Sequence, residues 1–199
     1  MSPTQPPTDE PAAAASQRRP RNVVLIGYRG SGKSSVAREL ARRLRWIHVD
    51  TDEHIASTAQ RSIRDIFDQL GETAFRRFEH DAIVTIGRGT GQVISVGGGG
   101  VLSEANRDAL RSAGLCVWLT APPEALHRRM LADPHNQATR PALTDRDALD
   151  EVRHLLHERE PLYAALADYV IETAERSVMQ VTDDVLTALS EGEAPSGTP

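Results

Sequence analysis

The sequence predicts an α/β fold in which a central parallel sheet of about five strands carries helices on both faces. Short apolar, β-branched runs alternate with longer segments of helical spacing along most of the chain. Strands that alternate with helices are typical of a parallel sheet buried on both faces. Glycine-rich segments follow two of the apolar runs, at residues 27–34 and 97–100. Ligands of open α/β sheets bind beyond the carboxyl ends of strands, so both segments indicate the position of a site.

Each element is predicted from its hydrophobic pattern and its end signals. The predicted strands cover residues 23–26, 46–49, 92–96, 115–119 and 169–171. The predicted helices cover residues 35–44, 62–70, 72–86, 123–131, 146–159 and 178–189, and two more begin near residues 53 and 103. We expect Ser62 to cap its helix, Gly71 to break the helical pattern and Pro161 to restart a turn.

The length of 199 residues suggests a single domain with its own hydrophobic core. We expect the folded domain to span residues 22–190, between disordered tails at residues 1–21 and 191–199. The first tail is rich in Pro, Ala and Ser and has too little apolar surface to fold. Residues 132–145 contain few apolar side chains and carry Arg140, and a connection of this length predicts a mobile lid.

Composition excludes several classes of protein. The formal net charge of −5 argues against nucleic acid as the main partner. No apolar stretch approaches the roughly 20 residues of a membrane span, and residues 1–21 lack the apolar core of a signal peptide. Cys116 is the only cysteine and lies in an apolar run, so we expect a buried thiol and no disulfide within the chain. These features fit a cytoplasmic protein.

Residues 27–34 are expected to bind phosphate. Their sequence, Gly-Tyr-Arg-Gly-Ser-Gly-Lys-Ser, fits the Walker A or P-loop pattern G-x-x-x-x-G-K-[ST]. Glycines let backbone N–H groups turn inward, and the following helix points its positive end at the same place. A glycine turn that matches by chance is the alternative, and the strand before the loop and the helix after it argue against that alternative.

Lys33 is the only lysine among the 23 basic residues of the chain, so the general preference for arginine has spared this position. Lysine carries a compact point charge, whereas the arginine fork is wide and planar, and a narrow phosphate cradle requires the former. We therefore expect Lys33 to contact the outer phosphates of a nucleoside triphosphate and Ser34 to ligate Mg²⁺.

Two acidic residues, Asp50 and Asp52, follow the second predicted strand. At the carboxyl end of a strand they are well placed to bind a metal or a substrate, although either could instead cap the next helix. No later strand ends in the aspartate of a Walker B motif, so Asp50 can take the metal role. The four glycines at 97–100 make sense if something approaches the main chain closely, and a flexible loop is the alternative.

Six segments of the chain together resemble the shikimate kinase family. They are residues 27–34, Asp50-Thr51-Asp52, Phe75-Arg76-Arg77-Phe78-Glu79, Gly97-Gly98-Gly99, Thr139-Arg140-Pro141 and Arg159-Glu160-Pro161-Leu162-Tyr163. They come in the order of the family and span about residues 22–190. The resemblance implies a monomer with a P-loop kinase fold. It also implies transfer of the γ-phosphoryl group of ATP to the 3-hydroxyl of shikimate, in the biosynthesis of aromatic amino acids.

The resemblance further implies roles for individual residues on the acceptor side. Asp52 would bind the substrate hydroxyls and orient or deprotonate the attacking one. Arg76 and Arg159 would hold the shikimate carboxylate, which suits the bidentate geometry of guanidinium groups. A backbone N–H of the glycine run, from Gly98 or Gly99, would contact the substrate.

On the nucleotide side, Lys33 and Arg140 would neutralise charge on the transferring phosphoryl group, while Ser34 and Asp50 would hold Mg²⁺. The expected ATP-binding residues are Gly30, Ser31, Gly32, Lys33, Ser34, Ser35 and Arg140, with Arg128 and Arg176 as candidates for stacking near the adenine.

Two other functions stay open from the sequence. A kinase for another small polyol acid, such as gluconate, would share the P-loop and the lid but need not keep both Arg76 and Arg159. A regulatory domain that binds a small carboxylate without turning it over is a different class, and the presence of every catalytic residue argues against it. ADP release from Mg·ATP with shikimate or with gluconate would separate these functions.

Overall fold

The computed structural model describes residues 21–133 and 148–191. The predicted tails lie outside these ranges except for their innermost residues, and so does most of the predicted lid, including Arg140. Within the described ranges the chain forms five strands and seven helices.

All five strands are parallel and belong to one sheet. In chain order they are β1 (Asn22–Ile26), β2 (Ile47–Asp50), β3 (Gln92–Ser95), β4 (Leu115–Thr120) and β5 (Tyr169–Glu172). The order across the sheet is β2-β3-β1-β4-β5. The predicted parallel sheet of five strands is therefore confirmed. Because β1 and β3 are neighbours, the glycine segments that follow them begin side by side at the same edge of the sheet.

Helices cover both faces of the sheet, as predicted. They are α1 (Lys33–Leu44), α2 (Thr51–Ala59), α3 (Ile63–Gly87), α4 (Glu104–Ala113), α5 (Pro123–Ala132), α6 (Ala148–Leu166) and α7 (Val178–Glu191). Val23 and Leu25 of β1 pack with α1 and α7, whereas Val24 and Ile26 pack with α3, α4 and α6. The central strand is thus buried on both faces, which explains its uninterrupted apolar sequence.

The helical signals on either side of Gly71 are confirmed. Ser62 Oγ accepts a hydrogen bond from the backbone N–H of Asp65 at 3.0 Å, so Ser62 is the N-cap of α3. Gly71 has non-helical dihedral angles, φ 80° and ψ 169°, and α3 is kinked there. Glycine adopts a positive φ without steric cost, so one helical run ends and the next starts in a new direction.

Helix α6 overturns one prediction. The sequence predicts a new turn at Pro161, but α6 runs through this residue without a break. A proline inside a helix loses one backbone hydrogen bond, and its ring crowds the preceding turn. Leu156 before the proline and Tyr163 and Leu166 after it are buried, so packing of α6 against the rest of the fold outweighs the local preference.

Asn22 joins the amino-terminal ends of the strands. Its side chain is fully buried, and Nδ2 donates to the carbonyl oxygens of Gly89 and Ala113, each at 2.9 Å. Its Oδ1 atom accepts the backbone N–H of Gln92, the first residue of β3, at 3.1 Å. A buried amide with three partners aligns β1 with β3 at the end of the sheet opposite the glycine segments.

Cys116 lies in β4 with its side chain fully buried, as its apolar neighbours predict. Burial raises the pKa of the thiol to about 12, so the sulfur stays protonated and unreactive at neutral pH. In the part of the chain that the structure describes, no helix combines the length and the apolar character needed to cross a membrane.

Candidate active site

Residues 27–34, called the phosphate loop below, join β1 to the amino terminus of α1. Gly27, Gly30 and Gly32 have φ angles of 139°, 78° and 92°, which residues with a side chain rarely adopt. Gly32 is also the N-cap of α1, so the positive end of the helix dipole faces the loop. Lys33 Nζ donates to the carbonyl oxygens of Gly27 and Tyr28, each at 2.8 Å, so the ammonium charge lies against the loop backbone.

Asp50 connects three elements at the end of β2. Its Oδ2 atom accepts hydrogen bonds from Ser34 Oγ at 3.1 Å and from Ser95 Oγ at 2.8 Å. Its Oδ1 atom accepts the backbone N–H of Asp52 at 2.9 Å and so caps α2. The capping role that the sequence leaves as an alternative therefore holds for Asp50, and the same carboxylate also reaches the phosphate loop.

The side-chain oxygens of Ser34 and Asp50 suit a magnesium ion. Mg²⁺ prefers hard oxygen ligands and is usually held by one or two protein groups together with substrate phosphates. Ser34 Oγ and Asp50 Oδ2 supply one neutral and one charged oxygen beside the phosphate loop. Among residues 21–133 and 148–191, no three His, Cys, Asp or Glu side chains form a metal cage. The donor set thus fits an ion that nucleotide phosphates help to hold.

Ser95 and His48 belong to the site, although the sequence motifs do not reveal them. Ser95 ends β3 in register with Asp50 of β2, and His48 lies two residues before Asp50 on the same face of the strand. His48 Nε2 is 2.9 Å from Ser95 Oγ. Burial lowers the pKa of His48, so its imidazole is neutral at pH 7. The alternation of side chains along β2 is the signal that could have found His48.

The glycine run after β3 lies against two of the residues predicted to bind substrate. A Cβ atom on Gly97 would come within 2.7 Å of Asp52 Oδ1, and one on Gly99 would come within 2.7 Å of Arg76 Nη1. Real Cβ atoms essentially never make contacts shorter than 3.0 Å. Glycine at these two positions therefore leaves room for the carboxylate and the guanidinium, so protein side chains approach the main chain closely here.

Gly98, the second glycine of the run, contacts α6. The carbonyl oxygen of Gly98 accepts hydrogen bonds from Tyr163 Oη at 2.7 Å and from Arg159 Nη1 at 3.4 Å. Arg159 also lies over the buried ring of Tyr28, with Cζ 5.6 Å from the ring centroid. Burial raises the pKa of Tyr163, so the hydroxyl keeps the proton that it donates. All three predicted substrate side chains therefore border one short segment.

Gly100 is a glycine for a different reason. A Cβ atom there would come within 2.6 Å of Val96 Cγ1, and the N–H of Gly100 donates to the carbonyl oxygen of Gly97 at 2.8 Å. The fourth glycine thus closes a tight turn. Whether the N–H of Gly98 or that of Gly99 contacts the substrate stays a prediction.

Arg76 is oriented by two acidic residues of α3. Its Nη1 atom donates to Glu79 at 2.9 Å, and its Nη2 atom donates to Glu72 at 3.0 Å. Burial acts to lower the pKa of Arg76, but the carboxylates of Glu79 and Glu72 outweigh it, and the pKa is raised. Glu79 is only 2% exposed, which strengthens its pull on the guanidinium. The spacing of three and four residues along the helix brings these groups together.

A cavity of about 460 Å³ opens beside the phosphate loop. The predicted site residues that line it are Gly30, Ser31, Gly32, Lys33, Ser34, Ser35, Asp50, Asp52, Gly98 and Arg176. Arg29 and Arg129 line it too, so positive charge gathers there. Arg76, Gly99 and Arg159 are not among its lining residues, although each is part of the glycine run or adjoins it.

Arg129, which belongs to none of the sequence motifs, reaches the phosphate loop. Its Nη1 atom donates to the carbonyl oxygen of Gly30 at 3.3 Å and to Thr173 Oγ1 at 2.9 Å. Arg128 is exposed and lines a different depression, next to Arg176. The phase of α5 could have separated the two arginines, because Arg129 follows both buried residues of the helix, Ala125 by four positions and Leu126 by three, whereas Arg128 follows only Ala125 at such a spacing. The predicted adenine contact of Arg128 stays a prediction.

Fold and site together define a class of protein. A P-loop on a small parallel sheet binds nucleoside phosphates. Beside this loop, one carboxylate and two guanidinium groups border a glycine run. This is the arrangement of a P-loop kinase that acts on a small hydroxyl compound.

Known proteins narrow the class to one family. The family model described as shikimate kinase matches residues 29–190. A shikimate kinase from Rhodopirellula baltica is 42% identical over 170 residues, which cover 85% of this chain and 91% of that protein. A solved structure titled as shikimate kinase from Acinetobacter baumannii in complex with shikimate has a TM-score of 0.80 and 30% identity, and the match covers 86% of this chain and 93% of that chain. The chain belongs to the shikimate kinase family.

A gluconokinase from Sinorhizobium meliloti has the same fold at lower similarity. Its TM-score is 0.57 and its identity is 17%, over 87% of this chain and 94% of that chain. Identity this low indicates a shared fold and says nothing in favour of gluconate as a substrate here.

Proposed function

We propose that this chain is an ATP-dependent kinase that phosphorylates the 3-hydroxyl of shikimate. One observation carries the proposal: three successive glycines after β3 adjoin Asp52, Arg159 and Arg76. A group for the attacking hydroxyl and two groups for a carboxylate are thereby gathered around one backbone segment. This segment emerges beside the phosphate loop, because β1 and β3 pair directly. Membership in the family supports the same activity.

Both ends of the acceptor have complementary groups. Arg76 and Arg159 would bind the carboxylate of shikimate, since guanidinium groups match carboxylates in geometry and charge. The ion pairs of Arg76 with Glu72 and Glu79 orient its guanidinium before substrate arrives, which lowers the entropic cost of binding. Asp52 would orient the attacking hydroxyl or accept its proton.

The nucleotide would bind in the cavity beside the phosphate loop. Lys33 and the N–H groups of the loop would hold the outer phosphates, and Ser34 and Asp50 would hold Mg²⁺. When bound, the ion supplies charge neutralisation on the phosphoryl group. Arg140 lies outside the described residues, and its role at the transferring phosphoryl group rests on the family resemblance.

We also infer the remaining features from the resemblance and the composition. The net charge of −5 supports a protein that does not act on nucleic acid. The resemblance supports a cytoplasmic monomer with one folded domain over about residues 22–190 and a lid at about 132–145. Arg129 and Arg176 line the nucleotide cavity, which supports a place for both beside the nucleotide.

The direct test is release of ADP from Mg·ATP with shikimate, with gluconate and without acceptor. Shikimate alone should raise the rate. An equal rise with gluconate would contradict the assigned acceptor, and binding of shikimate without ADP release would identify a sensor instead of an enzyme.

A pair of variants in α6 tests whether Arg159 binds the carboxylate of shikimate. Arg159→Ala should raise the KM for shikimate at least tenfold, since one charged partner of the carboxylate is lost. The affinity for ATP should stay nearly unchanged. Arg153→Ala is the matched control, because Arg153 pairs with Glu124 and Asp150 away from the glycine run. Equal losses of shikimate and ATP affinity in Arg159→Ala would overturn the role of this residue.

A further inference from the structure

A chain of hydrogen bonds runs from the edge strand β2 to the phosphate loop. His48 Nε2 lies 2.9 Å from Ser95 Oγ, and Ser95 Oγ donates to Asp50 Oδ2 at 2.8 Å. The same Oδ2 atom accepts from Ser34 Oγ at 3.1 Å. His48 is therefore linked through two intervening side chains to a residue of the phosphate loop.

The number of available protons fixes the direction of this chain. A serine hydroxyl has one proton, and that of Ser95 is donated to Asp50. Ser95 Oγ must then accept from His48, so Nε2 of the imidazole carries the proton. The hydroxyl of Ser34 likewise donates its proton to Asp50. The lone pairs of Ser34 Oγ therefore point away from the carboxylate. Lone pairs in that position are what a cation requires.

The backbone alone does not orient the carboxylate of Asp50 completely. The N–H of Asp52 fixes Oδ1, whereas Oδ2 depends on two hydroxyl groups that can rotate. The donor from His48 holds the hydroxyl of Ser95 in the one rotamer that points at Asp50. Without this donor, the hydroxyl could rotate and leave Oδ2 with one partner fewer.

We propose that His48 is a positioning residue of the magnesium site: by donating to Ser95, it holds the Asp50 carboxylate in the orientation that binds the ion. The proposal rests on the proposed function in one respect, the use of Ser34 and Asp50 to hold Mg²⁺. His48 itself touches neither the nucleotide phosphates nor the acceptor in this role. Ser95 contacts the ligand Asp50 directly, and loss of such a direct partner changes metal affinity by about 10–100-fold. His48 acts one residue further out, so we expect the lower end of that range for its loss.

The test compares the affinity of the full chain for ADP in the presence of Mg²⁺ with its affinity in EDTA, by isothermal titration calorimetry. His48→Leu keeps the volume and removes the donor, and should reduce the gain in affinity from Mg²⁺ by about tenfold. The affinity in EDTA should stay unchanged. His48→Gln should restore most of the gain, because its amide nitrogen can occupy the place of Nε2 and donate to Ser95.

A double-mutant cycle tests whether His48 acts through Ser95. Ser95→Ala should reduce the gain from Mg²⁺ by itself, and adding His48→Leu to it should cause no further loss. An additive loss would overturn the proposed route. Equal losses in Mg²⁺ and in EDTA would overturn the proposal as well, since they indicate a general disturbance of the loop. His48→Asn, whose amide is too short to reach Ser95, repeats the test in a polar side chain should the leucine variant not fold.

No acceptor is present in these titrations, so they are independent of the acceptor assignment. A magnesium effect that responds to His48, together with no ADP release on adding shikimate, would retain the positioning role and reject the proposed reaction. If shikimate does stimulate ADP release but the His48 variants leave the gain in affinity from Mg²⁺ unchanged, the proposed reaction is retained and the positioning role of His48 is rejected.

Discussion

The two glycine segments of this chain follow neighbouring strands, yet they use glycine differently. In the phosphate loop after β1, Gly27, Gly30 and Gly32 have positive φ angles. None of residues 97–100 after β3 has a φ angle in the left-handed region, and Gly97 and Gly99 instead leave room for charged side chains. The first segment depends on a backbone conformation, whereas the second depends on the absence of a Cβ atom.

This difference means that the same substitution should fail in different ways in the two segments. A methyl group on Gly32 would meet no atom within 4 Å, but a φ of 92° strains any residue other than glycine. A methyl group on Gly97 would be free of that strain and would press on Asp52. We expect glycine-to-alanine changes in the first segment to act on nucleotide binding, and glycine-to-alanine changes in the second to act on turnover and acceptor binding.

The largest effect is expected in the phosphate loop, at Lys33. Lys33→Ala removes the charge that we propose to face the outer phosphates, so kcat should fall by about 10³-fold in steady-state assays. Arg38→Ala is the control, since Arg38 lines the same cavity but is exposed, and it should change kcat little. Similar losses in the two variants would mean that net charge of the cavity, and not the position of Lys33, matters.

Gly97→Ala should have the next largest effect. Displacement of Asp52 should lower kcat by about 10²-fold and leave the affinity for ADP unchanged, because a misplacement of about 1 Å at a reacting group costs that much. Its partner is Gly32→Ala, which should weaken ADP binding about fivefold through roughly 1 kcal/mol of backbone strain. Calorimetry and kinetics on both variants give the comparison. Loss of ADP affinity in Gly97→Ala would remove the distinction between the two segments.

Asn22→Ala should lower the stability of the fold without a selective effect on either glycine segment. It leaves one buried carbonyl group, one partly buried carbonyl group and one N–H without their partners, at the opposite end of β1 and β3. The free energy of unfolding in urea should fall by about 2 kcal/mol, while kcat and both KM values stay close to those of the unchanged chain. Ser112→Ala, which removes an exposed hydroxyl, should cost less than about 0.5 kcal/mol. Equal costs for the two variants would contradict the role of Asn22.

Gly99→Ala should have the smallest effect. The added methyl group meets the far end of the Arg76 side chain, and a long flexible side chain can move aside at low cost and keep most of its attraction for a carboxylate. The KM for shikimate should rise about threefold to fivefold, with kcat unchanged. A fall in kcat with an unchanged KM would place the effect at Asp52 and not at Arg76.

The parts of the site that lie together in the sequence could be predicted. The phosphate loop is one segment whose glycines, lysine and serine are all needed for one purpose, so its pattern is informative without any tertiary structure. The N-cap at Ser62 and the kink at Gly71 are equally local. The predicted acceptor residues needed the family resemblance, because nothing in the spacing of Arg76 and Arg159 shows that both adjoin the same glycine run.

The parts that depend on register or helix phase were not predicted. Ser95 reaches Asp50 only because β2 and β3 pair with these two residues opposite each other. Arg129 and not Arg128 reaches the phosphate loop because of the rotation of α5 about its axis. Pro161 shows the converse, where a strong local signal gave a wrong prediction because buried neighbours keep the helix continuous.

The position of Lys33 also decides how this protein responds to chemistry directed at amines. The chain has a single ε-amino group, and that group lies against the backbone of the phosphate loop. Acetylation removes the charge of a lysine, so any acylation of a side-chain amine in this protein acts on the residue that we propose to contact the phosphates. We therefore expect covalent modification of lysine to abolish nucleotide chemistry in this molecule, and a resin or dye that couples through lysine must couple at Lys33.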